Sequence, residues 1–152
     1  MKLPYREGTW FAVPLRSGGF AVGLVARCTK RGREILCYFF GPRLEFVPRL
    51  SEIEHLTSAS AIRVIRVGDL GLIRGDWPII GQAVSWDRSS WPMPVFIRRG
   101  ILSPHINWLV YVSDTDPTKT IKEEREPNDR PDLPAECLYG SGAVEIELSK
   151  IL

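Results

Sequence analysis

Three of the five tryptophans in this 152-residue chain fall within fifteen positions, at Trp77, Trp86 and Trp91. Asp76, Asp87 and Arg88 stand beside them, and Pro78, Pro92 and Pro94 fix the backbone and keep the segment from forming an ordinary helix. An indole has a large apolar face and one polar donor, so such a group serves as a core anchor or as a contact surface. Carboxylates and a guanidinium next to rigid aromatics make up the usual composition of a binding hot spot. In the structural reading, Trp77 and Trp91 plug the end of a small barrel and Asp87 pairs locally with Arg88. In the functional reading, the same residues face a partner. Both hold together if one ring is buried and another is exposed.

Catalytic chemistry has fewer candidates. His55 and His105 are far apart and neither lies in a metal-ligand spacing, so Asp69, Asp76 or Asp87 would have to complete any metal site. The chain has no G-x-S-x-G elbow, and Gly140-Ser141-Gly142 lacks the longer glycine pattern of a phosphate-binding loop. Cys28 and Cys37 flank one hairpin. With a five-residue loop Cys37 faces Val25 and the two sulfurs point to opposite faces, so free thiols are expected there and at Cys137. Arg16, Lys30, Arg31 and Arg33 with Tyr38 nearby would suit a nucleic-acid backbone. They sit at hairpin tips, however, and a net charge of +2 lacks the basic surplus such binding needs.

Strands must hold these groups in place. Phe11, Val13 and Leu15 alternate, and Arg16 to Gly19 supplies a turn. Phe20 to Cys28 reads as a second strand with Gly23 marking a bulge or close approach. After a loop at residues 29–33, Glu34 to Phe40 forms a third strand, closed by Gly41-Pro42. Ser51 to Glu54 carries a capping-box pattern, predicting a short helix with Leu50, Ile53 and Leu56 on one side. Residues 61–67, 70–73, 94–99 and 108–113 read as further strands, with Arg63 and Arg66 on opposite faces of theirs. A polar excursion with four prolines runs from Ser113 to Pro134, and its Lys122 to Glu126 faces solvent. Ala143 to Leu148 alternates apolar and acidic residues, which predicts a last antiparallel strand with one wet face.

With 44% hydrophobic and 25% charged residues, the chain suits one globular domain spanning residues 1–152. The first residues lack the apolar run of a signal peptide, and no stretch approaches a membrane span. A cytoplasmic location, with no membrane and no nucleic-acid partner, is the expectation. The expected fold is mainly β: a curved or barrel-like antiparallel sheet with one or two short helices.

Several pieces of the chain together resemble the bacterial immunity protein 26 family. They are Gly8 to Leu15, Gly19 to Gly23, Tyr38 to Pro42, Gly75 to Gly81, Trp86 to Pro94 and Gly140 to Glu145. The resemblance implies a β-rich protein of a polymorphic-toxin system that binds a cognate toxin and protects the producing cell. On that footing the chain is expected to act by stoichiometric contact, without turnover, cofactor or metal. Its contact surface would be Trp77, Trp86, Asp87, Arg88 and Trp91, joined by the excursion after Ser113. An acidic patch of Asp114, Asp116, Glu123, Glu124 and Glu126 could compete with a nucleic acid for a nuclease toxin. Some members of the family carry a phosphotriesterase label. The alternative is therefore a phosphoester hydrolase drawing on Asp76, Asp87 and His105.

Overall fold

The computed structural model describes residues 2–101 and 106–152. Its centre is a six-stranded sheet built from β1 (Thr9–Pro14), β2 (Phe20–Arg27), β3 (Glu34–Leu44), β4 (Arg63–Gly68), β5 (Ile79–Gln82) and β9 (Leu138–Tyr139). The strand order is β5-β1-β2-β3-β4-β9, antiparallel except where β9 runs parallel to β4. A second antiparallel sheet holds β6 (Phe96–Arg98), β7 (Asn107–Val112) and β8 (Thr120–Glu126). The mainly β expectation holds. The sheet does not close into a barrel, because β5 and β9 end it on opposite edges.

Both faces of the large sheet are covered, which is why β2 and β3 read as near-continuous apolar runs rather than as alternating ones. One face collects Phe11, Val13, Val25, Ile35 and Phe39 under α3 (Ser141–Ile151) and Trp77. The other collects Trp10, Leu24, Leu36, Tyr38 and Phe40 under Phe96 and Val110 of the small sheet and under Trp91. Gly23 is there because Phe11 lies across it: a Cβ would come within 2.3 Å of the ring. The close approach inferred from the sequence is therefore real. Val25 pairs with Cys37 as expected from the hairpin count, but the register shifts between Val25 and Arg27, so Cys28 packs against the same core as Cys37 instead of pointing to the opposite face; all three cysteines are free. Burial pushes the Cys28 thiol up to about 11, with the Glu7 carboxylate adding to it, and raises Cys37 well above the usual thiol range.

Further sequence expectations are corrected. Gly41-Pro42 does not close the third strand: β3 runs on to Leu44, which pairs with Phe20. Residues 143–148 are helical, within α3: Val144 and Leu148 share one buried helix face at i, i+4, while Ile146 is 45% exposed. Residues 70–73 form α2 (Leu70–Ile73), a single helical turn, because Leu72 and Ile73 donate back to the Asp69 carbonyl. The capping box sits two residues earlier than Ser51–Glu54. Glu52 accepts the Arg49 backbone N–H at 3.0 Å at the start of α1 (Leu50–Ile53). No helix among the described residues is long and apolar enough to cross a membrane.

Candidate functional site

The loop between β5 and β6 folds on itself through Asp87. Its Oδ1 accepts the Ser89 N–H at 3.1 Å and the Ser89 hydroxyl at 2.6 Å, and its Oδ2 accepts the Ser90 hydroxyl at 3.0 Å. These bonds hold the Asp87 carboxyl below the usual range and cap a 3-10 turn over Arg88–Ser90. The turn drives Trp91 inward. Its ring meets Tyr38, Trp10 and Phe40 edge-on at 5.2, 5.9 and 6.0 Å, and Trp86 stacks on it at 6.4 Å. Trp91 keeps only 8% of its surface exposed, whereas Trp86 is half-buried. The Tyr38 hydroxyl donates to the Pro92 carbonyl at 2.5 Å, and burial pushes its pKa up to about 12.

Arg88 points away from Asp87, so the expected local pair does not form. Its guanidinium donates to Glu7 at 2.9 and 3.3 Å and to the Asp114 carboxylate and carbonyl at 2.7 Å each. Glu7 also accepts the Trp86 Nε1–H at 3.3 Å. Arg27, whose side chain is only 4% exposed, donates to Asp114 at 2.8 Å and to the Arg88 carbonyl at 3.2 Å. Partial burial pushes the Asp114 carboxyl up. The hydrogen bond and charge of Arg27, followed by those of Arg88, outweigh that and hold it below the usual range. One planar fork thus fixes the loop to the chain's first residues and to the turn after β7.

Beside this network lies a groove of about 470 Å³ lined by Trp86, Trp91 and Trp10 together with Leu56 and Glu54. Val84 lines it with 81% of its surface in solvent. An aromatic wall, an exposed aliphatic side chain and a charged rim are suited to gripping an apolar side chain of another protein.

Four of the five expected contact residues, Trp86, Asp87, Arg88 and Trp91, come together here, and the excursion after Ser113 joins them through Asp114. Trp77 does not. It is fully buried on the opposite face of the sheet, stacked on Phe11 at 5.5 Å, and its Nε1–H is donated to Glu145 at 3.0 Å. Glu7, Arg27 and Val84 are additions that the sequence reading did not pick out. Only the run of charged residues around Asp114 hinted at the network, because a pair separated by 81 positions such as Glu7–Arg88 leaves no local signal.

Among the described residues, neither Asp76 nor Asp87 of the alternative reading lines this groove. The Asp87 carboxylate is engaged by two serines, Asp76 is exposed in the turn before β5, and His105 lies outside the described residues. Among the described residues no three His, Cys, Asp or Glu side chains are grouped to hold a metal. The cations considered for nucleic acid are also dispersed. Arg16 sits at the β1–β2 turn pairing with Glu145, Lys30 to Arg33 lie at the β2–β3 loop, and Tyr38 is buried.

A model of the family described as Immunity protein 26 matches residues 6–106 of the chain. That span runs from Arg6, beside Glu7, through the whole tryptophan-bearing loop and β6. No curated protein and no solved structure matches the chain.

Proposed function

The chain belongs to the immunity protein 26 family, and from that premise we propose that it neutralises a cognate bacterial toxin by stoichiometric protein–protein contact. It acts in the cytoplasm as one unit of residues 1–152, without turnover, metal or cofactor. The observation that supports this reading is the groove at Trp86. There a half-buried indole is locked by Glu7 and by the stack on Trp91, next to a valine that is 81% exposed. A rigid aromatic next to an exposed aliphatic residue loses little entropy on binding. The contact surface is Val84, Trp86 and the Arg88 face. Trp91 supports it from below, and Asp87 shapes the turn that carries it.

The test is co-expression with the toxin domain encoded beside this chain. The wild type is expected to restore growth and to co-purify with the toxin at a one-to-one ratio. A Val84→Glu, Trp86→Ala variant with an unchanged melting curve is expected to lose both. Full rescue by that variant would move the contact surface elsewhere. Rescue by far less than one equivalent of the chain would point to turnover and overturn the stoichiometric reading.

A further inference from the structure

On the sheet face opposite the tryptophan groove, an open cleft of about 770 Å³ lies between the N-terminal segment, the β2–β3 loop and β5. Lys2, Arg6 and Lys30 line it, and Arg31 and Arg33 continue the same loop, all five exposed. None of these five side chains makes a hydrogen bond or ion pair among the described residues. By contrast Arg16, Arg27, Arg88, Arg98, Arg99 and Arg130 are all paired. The support beneath them is rigid. The Tyr5 hydroxyl donates to Asp69 at 2.6 Å, and the same Asp69 oxygen accepts the Arg33 backbone N–H at 2.9 Å. The segment carrying Lys2 and Arg6 and the loop carrying Lys30 to Arg33 are therefore fastened to one buried carboxylate.

We propose that this cleft is a second docking site, one that takes an extended acidic segment of a partner protein. Exposed cations lacking internal partners, carried on a fastened backbone, attract carboxylates over a Debye length and hold them at contact. β5 is the outermost strand of the large sheet, and Ile79 on it is 43% exposed, so an extended chain finds a strand edge and an apolar foothold between the cations. A nucleic acid fits less well. The one aromatic lining the cleft, Tyr5, is 5% exposed, which leaves no ring for bases to stack on. A second copy of this chain also fits less well. The acids of its excursion after Ser113 are already engaged: Asp114 by Arg27, Glu123 by Arg98, Glu124 by Lys122, Asp129 by Arg99 and Asp132 by Arg130. Glu34, at the start of β3, is the nearest acid in sequence with no such partner, one carboxylate against five cations.

The proposal stands apart from toxin neutralisation and is tested without a toxin. The probe is a dye-labelled peptide of about ten alternating Glu and Val residues, read by fluorescence anisotropy at low salt. The wild type is expected to bind it, and an Arg6→Glu, Lys30→Glu, Arg31→Glu variant to bind it at least about tenfold more weakly. A control variant, Arg74→Glu, Arg125→Glu, Lys150→Glu, changes the net charge equally at unpaired cations outside the cleft and is expected to lose less than about twofold. Four results would each overturn the proposal: no binding by the wild type, equal loss in both variants, tighter binding of a single-stranded oligonucleotide of the same charge, or a dimer at low salt that excludes the peptide. Matching melting curves for the three proteins exclude misfolding as the cause of a loss.

Discussion

Asp114 holds two arginines at once, and that makes the tryptophan loop sensitive to acid. Its folded-state pKa lies below its unfolded one, so the stabilisation is fully present above the unfolded value of about 4 and is lost as pH falls through the folded value. With more than half of the side chain in solvent, the effect is a local loosening rather than a large stability term. Titration below about pH 4 is expected to shift the emission of Trp86 as Arg88 loses its bond to the Asp114 carboxylate, well before the fold is lost. Asp114→Asn is expected to remove most of that transition. Asp87→Asn separates out the second depressed carboxyl of the loop, which titrates in the same window. An unchanged acid transition in Asp114→Asn would show that Glu7 and the Asp114 carbonyl hold Arg88 without the Asp114 carboxylate. At this scale residue types were legible and partners were not. Trp86, Asp87, Arg88 and Trp91 stood out by composition. The bonds from Arg88 to Glu7 and Asp114 depend on how β1, β2 and β7 are stacked, which no local pattern encodes.

Among the elements, α3 shows how a period can mislead. Val144, Ile146 and Leu148 alternate with Glu145 and Glu147 as in a strand, yet Val144 and Leu148 alone satisfy a helix face, and the core takes those two. The acids settle the choice. In the helix Glu145 reaches Trp77 and Arg16 while Glu147 reaches Arg63 at 3.5 Å, on the two sides of the buried stripe. Leu148→Ala is expected to cost about 2–4 kcal/mol in urea unfolding, because a fully buried leucine leaves a cavity between helix and sheet. Ile146→Ala is expected to stay within about 0.5 kcal/mol, being exposed. A strand would invert neither cost alone but would make the two losses similar, so the ratio is the informative quantity. The strands β1 to β4, β6 and β7 were legible because their apolar runs are long and end in glycine, proline or charge. The one-turn helix α2 was not, since four residues carry too little period to separate a turn from a strand.

The whole molecule hangs on strands that serve two cores. Ala21 and Val25 face α3 while Val22, Leu24 and Ala26 face the small sheet, and β3 divides in the same way between Ile35, Cys37, Phe39 and Leu36, Tyr38, Phe40. Opening either face strips the partners from a strand that the other face needs. The small sheet is fastened to the large one by buried arginines as well. Arg66, 8% exposed, donates to the Pro117 carbonyl and to Glu136 and lies 5.3 Å over the Phe96 ring, while Arg27 holds Asp114. The Arg66 Nε, without a hydrogen-bond partner among the described residues, is a cost carried at that seam. Shared strands and buried clamps together predict one cooperative transition for the chain. Fluorotryptophan labelling gives a probe in each part: Trp77 under α3, Trp91 under the loop and Trp108 in the small sheet. Their fluorine resonances are expected to lose intensity at urea midpoints agreeing within about 0.3 M. A Trp108 midpoint lower by about 1 M or more would mean that the small sheet opens by itself and that residues 1–152 hold two cooperative units. The two docking surfaces would then differ in kind. The basic cleft, framed by the N-terminal segment, the β2–β3 loop and β5, would survive that opening, while the tryptophan groove would lose the Asp114 tie that fixes Arg88.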